Sequence, residues 1–222
     1  MLVQGTLQLP GDKSISHRAI MLSAIADGVS YVRNLNDGAD LQSTINILKD
    51  CGASIKQRDD EIVINGKELH SPSNNLDCGN SGTTTRLVAG LLASQKLTFS
   101  LIGDESLSKR PMKRIIKPLT AMGCKISSND GLLPLSIDAS NGISAIDYDM
   151  KVASAQVKSS ILFSALGGNN LSSINEIIPT RNHSEIMLKN MGASIEIEGS
   201  KIIVHPLKSK LKSIDISVPS DP

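Results

Sequence analysis

Five short stretches gather side chains able to hold negative charge. "PGDKSISHRAI" (10–20) brings Lys13, Ser14 and Arg18 to a point where two breakers give way to an apolar run. "GNSGTTTR" (79–86) sets Asn80, Ser81, Gly82 and Thr83 before Arg86, and "LSKRPMKR" (107–114) packs four cations around a proline. "SAQ" (154–156) supplies Ser154 and Gln156, and "TRNHSE" (180–185) supplies Arg181 and His183. Free backbone N–H groups and the positive dipole end make a helix start an anion site. Lys13 falls at or just before such a start, with Ser14 as the expected cap. Residues 80–83 lack the Gly-Lys-Ser/Thr ending of a Walker loop, yet they can form a phosphate nest. The guanidinium fork of Arg110 suits a carboxylate or phosphate better than an ammonium would, although a solvated basic turn explains that stretch equally well. Any one of these starts is explained by capping alone. Several in one register, each with added cations, point to a small and multiply anionic ligand.

Other chemistries find little support. His17, His70 and His205 have no partners at ligand spacing, so no metal site is expected. His183, Ser184 and Glu185 do not make a convincing catalytic triad, and Asp40, Asp104 and Glu105 read more simply as caps or solvated charges. Cys51, Cys78 and Cys124 lack metal spacing and read as reduced, small core residues.

The elements that must position these residues repeat. "LKDCGASI" (48–55), "LTAMGCKI" (119–126) and "LKNMGASI" (188–195) share one pattern, with Gly52, Gly123 and Gly192 spaced 71 and 69 residues apart. A glycine just past a helix is the usual left-handed cap. An amphipathic stretch precedes each, and strand candidates such as "EIVING", "LPLSID" and "KIIVHP" follow. A second helix recurs as "KSISHRAIMLSAIADG", "SGTTTRLVAGLLAS" and "SAQVKSSILFSALGG". Each places a cation four residues beyond a small residue: Ser14 to Arg18, Gly82 to Arg86, Ser154 to Lys158. All three are expected to be buried, and "VAGLLAS" and "ILFSALGG" are apolar nearly all round, as buried helices are. A period near 70 exceeds that of ordinary solenoids, so the expectation is an α/β domain of three units related by pseudo-threefold symmetry.

The 222 residues suffice for a proper core. A net charge of +1, with Lys and Arg spread out apart from the cluster at Lys109, Arg110, Lys113 and Arg114, argues against a general nucleic-acid or membrane-surface binder. Aromatics at 2%, without Trp, argue against base-stacking platforms. No signal-peptide pattern and no apolar run of about 18 residues is seen, so a soluble cytoplasmic protein is expected.

In order and spacing, "LPGDKSISHRA", "GNSGTTTRL", "SLSKRPM", "SAQVKSS" and "TRNHSE" closely resemble the 5-enolpyruvylshikimate-3-phosphate synthase family over residues 2–222. The branch with "SAQ" and "RNH" fits better than the one with "SSQ" and a Tyr at position 183. The UDP-N-acetylglucosamine enolpyruvyl transferases share the fold but start with a Gly-Ala-Lys-Asn pattern. They also carry a reactive Cys near the Arg-Pro motif, whereas no Cys lies between Cys78 and Cys124 here.

The resemblance implies one domain of an inside-out α/β barrel, built from three βαβαββ units with buried helices. It implies transfer of the enolpyruvyl group of phosphoenolpyruvate to the 5-hydroxyl of shikimate 3-phosphate, by addition and elimination and without metal or organic cofactor. Carried over by position, Lys13, Ser14, Arg18, Ser154, Gln156 and Arg181 would hold shikimate 3-phosphate. Lys13, Asn80, Gly82, Thr83, Arg110 and Gln156 would hold phosphoenolpyruvate, with Lys13 also the local candidate for proton transfer. Ala155 stands where the other branch has Ser. The match covers about the first half of the family's chain, so residues 1–12 are expected to belong with a second domain and 13–215 to form the shikimate 3-phosphate domain. Residues 216–222 would begin the crossover, with Ser220 where the family usually has Gly. On this reading the partner is the C-terminal half of the same enzyme, the protein is a monomer, and this half alone binds without turnover. A non-catalytic anion-binding module is the alternative.

Overall fold

The computed structural model describes residues 9–220. The expected opening strand, up to Gln8, and residues 221–222 lie outside that range. The chain follows nearly the same path three times. The first pass comprises α1 (Lys13–Ala24), β1 (Ala26–Asp27), β2 (Val29–Arg33), α2 (Ala39–Asp50), β3 (Ser54–Arg58) and β4 (Glu61–Asn65). The second comprises β5 (Leu76–Asp77), α3 (Gly82–Ser94), β6 (Thr98–Ile102), the one-turn α4 (Glu105–Ser108), α5 (Lys113–Ala121), β7 (Lys125–Asn129) and β8 (Leu132–Asp138). The third comprises β9 (Asp147–Met150), α6 (Ala155–Ala165), β10 (Ser172–Glu176), α7 (His183–Asn190), β11 (Ile195–Glu198) and β12 (Lys201–Val204). The short β13 (Leu211–Lys212) and β14 (Asp215–Ser217) follow.

Each pass owns a four-stranded sheet of one design. The orders are β5-β6-β8-β7, β9-β10-β12-β11 and β14-β2-β4-β3. In all three the leading edge strand pairs parallel with its neighbour and the other pairings are antiparallel. The first sheet takes its edge strand from the far end of the chain, with Asp215 opposite Tyr31 and Ser217 opposite Arg33. Gly11 and Ser220 form a bridge beside it, and Asp12 N–H donates to the Pro219 carbonyl at 2.8 Å. The two ends of the described chain therefore lie together at the start of α1.

The expected glycines sit where a left-handed residue is needed. Gly52, Gly123 and Gly192 have φ of +94°, +98° and +90° just past α2, α5 and α7. Helices α1, α3 and α6 form the interior. Ile20, Met21, Leu22, Leu87, Val88, Leu91, Ile161, Leu162 and Phe163 are fully buried, and each such side chain contributes about 1.5–3 kcal/mol of transfer free energy. Gly90 lets α3 and α6 touch: a Cβ there would lie 2.1 Å from the Ser160 carbonyl oxygen. The three cysteines are buried and unpaired, and burial pushes their thiols up to about 12, 12 and 11 at Cys51, Cys78 and Cys124. Among the described residues no helix is long and apolar enough to cross a membrane.

Candidate functional site

The pseudo-threefold arrangement brings the starts of α1, α3 and α6 to one face. There they line a cleft of about 530 Å³ with the loop that enters α7. Its walls are Asp12 and then Lys13, Ser14 and Arg18 of α1, Thr83 of α3, Ser154 and then Ala155 and Gln156 of α6, and Thr180 and Arg181 from the loop. This size suits a small-molecule ligand.

Each helix start is capped from the residue just ahead of it. Asp12 Oδ1 accepts from Ile15 N–H at 2.7 Å, Ser81 Oγ from Thr84 N–H at 3.1 Å, and Ser154 Oγ from Val157 N–H at 3.3 Å. The cap of α1 is therefore Asp12, not Ser14. The local signal was present, because Asp ranks beside Ser as a cap and stands directly before the first helical residue. Capping at Asp12 frees the Ser14 hydroxyl, which accepts from Arg18 Nη1 at 2.6 Å.

The three cations of the repeated helix do different work. Arg18 is 2% exposed, and its guanidinium donates to the Ser14 carbonyl and hydroxyl, to Ser184 Oγ at 2.7 Å and to Ser159 Oγ at 2.7 Å. Five N–H donors against four bonds leave one unspent. Burial lowers its pKa to about 10, opposed chiefly by the Glu185 charge, so it stays cationic at neutral pH. Arg86 donates to Gln156 Oε1 at 2.8 Å, and Gln156 Nε2 in turn donates to Thr83 Oγ1 at 2.9 Å. Burial and the like charges of Arg110 and Arg114 push the Arg86 pKa down. Lys158 turns inward instead, 2.9 Å from Glu176 Oε2 and 2.6 Å from Glu185 Oε1. It is 1% exposed and offers nothing to a ligand. The identical spacing in sequence hides these three fates.

Seven of the expected residues therefore share the cleft: Lys13, Ser14, Arg18, Thr83, Ser154, Gln156 and Arg181. Lys13 pairs with Asp40 at the first turn of α2. Asn80, Gly82 and Arg110 gather beside the cleft. Arg110 Nη2 donates to Asn80 Oδ1, and Asn80 Nδ2 donates to Asp104 Oδ2 at 2.6 Å. A Cβ on Gly82 would lie 2.7 Å from Arg86 Nη1 and 3.6 Å from Arg110 Nη1, so two guanidinium groups flank that glycine. Arg86 joins this group to the main cleft through Gln156. It is the residue that motif reading undervalued, noted for its register and not for a role. His183 approaches Ser14 Oγ at 3.4 Å and Asp12 Oδ1 at 4.0 Å, and burial lowers its pKa. Among the described residues no cluster of His, Cys, Asp and Glu is placed to hold a metal.

The arrangement can neutralise several negative charges at once on cations, hydroxyls and the N–H groups of three helix starts. The family model for EPSP synthase (3-phosphoshikimate 1-carboxyvinyltransferase) matches residues 2–222. The chain belongs to that family. A 3-phosphoshikimate 1-carboxyvinyltransferase of Ruthia magnifica is 46% identical over 99% of this chain, and one of Oenococcus oeni is 45% identical over the same share. The solved EPSP synthase of Acinetobacter baumannii superposes with a TM-score of 0.92 at 43% identity, over 98% of this chain. The chain spans about half the length of the curated relatives it matches, 51% for the Ruthia protein, and 50% of the solved chain. The α/β fold with buried helices that the motifs implied is the fold of this family.

Proposed function

We propose that this chain is the shikimate 3-phosphate half of an enzyme that moves the enolpyruvyl group of phosphoenolpyruvate onto the 5-hydroxyl of shikimate 3-phosphate. The observation that carries this reading is the convergence of Lys13, Arg18 and Arg181 on one cleft at three helix starts, in a chain of the EPSP synthase family. Arg18 and Arg181, with Lys13, Ser14, Ser154 and Gln156, would bind shikimate 3-phosphate. Asn80, Gly82, Thr83 and Arg110, again with Lys13 and Gln156, would bind phosphoenolpyruvate.

The chemistry explains why cations dominate. The 5-hydroxyl oxygen adds to C2 of phosphoenolpyruvate while C3 gains a proton, giving a tetrahedral ketal. The C2–O bond to phosphate then breaks, phosphate leaves, and loss of a methyl proton restores the double bond. Both reactants are anions that repel each other, so the site's first task is to hold them adjacent. Fixed cations and dipoles do so at no reorganisation cost during reaction. Lys13, which lines the cleft together with Thr83 and Gln156, is the local candidate for proton transfer. The second half of the family's chain would supply the remaining ligands and acids and close over the cleft, so this half alone binds and does not turn over.

Calorimetric titration of the chain with shikimate 3-phosphate tests the reading. Saturable binding is expected, and a folded chain that gives no heat at millimolar ligand would overturn it. Mixing with a separately made C-terminal half should restore phosphate release from the two substrates.

A further inference from the structure

Arg181 reaches the cleft from a segment with few ties to the protein. Ile177 and Ile178 are 69% and 60% exposed, so no apolar burial anchors its start. Pro179 has no N–H to donate. Among the described residues, positions 178–181 take part in no backbone hydrogen bond. Arg181 itself has no side-chain partner there, and its charge depresses the pKa of nearby Arg18. A bare cationic segment facing another cation should drift away from it.

One bond opposes that drift. Thr180 Oγ1 donates to Glu176 Oε1 at 2.6 Å, a charge-assisted bond of the stronger kind. Glu176 closes β10, and its other oxygen is held by Lys158 at 2.9 Å. Lys158 is fixed in turn by Glu185 of α7 at 2.6 Å. The two ends of the segment, β10 and α7, are thus clamped to one buried ammonium on α6. The corresponding turn after β2 is tied differently. There Asn36 N–H donates to Ser16 Oγ at 3.0 Å, and Asn36 Oδ1 accepts from Gly38 N–H at 3.0 Å. That turn carries no cation, whereas among the described residues the third holds Arg181 by the Thr180 bond alone.

We infer that Glu176 is a positioning residue for Arg181, acting through the Thr180 hydroxyl with buried Lys158 as its anchor. Glu176 does not line the cleft, so its effect passes through the segment. The consequence for affinity rests on the cleft being the shikimate 3-phosphate site, whereas the ordering of the segment does not.

Backbone 15N relaxation on the 222-residue chain, ligand-free, tests this directly. Thr180→Val keeps the branched shape and removes the donor. Order parameters at 178 and 180–182 should fall from about 0.85 to below about 0.6, with α6 and α7 unchanged. Affinity for shikimate 3-phosphate should drop about tenfold, the size of one charge-assisted bond. Thr180→Ser should restore both. Glu176→Gln should loosen the segment too, and if that variant fails to fold, the two Thr180 variants decide alone. Order parameters in Thr180→Val equal to those of the parent, a parent segment already loose, or no rescue by Ser would each overturn the inference. If the segment loosens and recovers as expected but neither parent nor variants bind shikimate 3-phosphate, the positioning role stands and the ligand assignment falls.

Discussion

Arg86 donates to the carboxamide oxygen of Gln156 at 2.8 Å, which ties the start of α3 to the start of α6. The same carboxamide donates to Thr83 at 2.9 Å, so Gln156 uses both ends to join the cleft to the Asn80, Gly82 and Arg110 group. Replacing Gln156 by Leu removes both bonds at similar volume and leaves Arg86 turned toward an apolar side chain. A charged hydrogen bond contributes about 1.5–3 kcal/mol. Shikimate 3-phosphate binding should therefore weaken by at least about tenfold in calorimetry, and the thermal midpoint should fall by a few degrees, at about 2–4 °C per kcal/mol. Unchanged affinity would show that Gln156 only decorates the wall.

Much of the fold is legible in the sequence alone. The three left-handed glycines announced the repeat, because few residues other than Gly tolerate φ near +90°. The buried helices α3 and α6 show themselves by apolar residues on nearly every face. The destinations of the cations stayed hidden, because they depend on partners far along the chain. Lys158 matches Arg18 and Arg86 in spacing, yet Glu176 and Glu185 draw it inward. The Arg18 hydroxyl partners Ser159 and Ser184 likewise come from two other helices. The edge strand of the first sheet was equally invisible, since β14 joins β2 from the opposite end of the chain.

Arg18 should not tolerate Lys. Its fork bonds Ser14, Ser159 and Ser184 from three helices, and an ammonium has neither the reach nor the planar geometry to replace it. Arg18→Lys keeps the charge, so a purely electrostatic role predicts near-normal binding. The geometry predicts a loss of tenfold or more in shikimate 3-phosphate affinity. It also predicts roughly 1–3 kcal/mol less stability in urea, the cost of buried hydroxyls left without a donor.

Gly90→Ala tests the packing that brings the helix starts together. The added Cβ would sit 2.1 Å from the Ser160 carbonyl oxygen, so the backbones of α3 and α6 must separate. Overpacking of this kind costs about 1–3 kcal/mol or more. For a chain of this size each kcal/mol lowers the melting midpoint by about 2–4 °C. Circular dichroism melts should show a fall of at least a few degrees, despite the better helix propensity of Ala. A rise in midpoint would mean that the helices slide apart without cost.

His17 gives the fold an acid sensitivity of definite sign. The ring is fully buried between α1 and its neighbours, with Nδ1 2.8 Å from Thr44 Oγ1 and, among the described residues, no partner for Nε2. Burial, then the Lys13 charge, lowers its pKa from 6.5 to about 4, against the raising effect of Asp40. Between those values the unfolded chain binds a proton that the folded chain refuses. Stability must therefore fall as pH drops from 6.5 toward 4, by about 3 kcal/mol from this group at the lower limit. Above pH 6.5 both states are neutral and His17 contributes no slope. His183, also lowered by burial, adds to the loss with the same sign. His17→Gln keeps a polar group near Thr44 but cannot titrate, so urea unfolding at pH 7.5, 6 and 5 should show a shallower decline than in the parent. Equal slopes in the two proteins would assign the acid sensitivity to other groups.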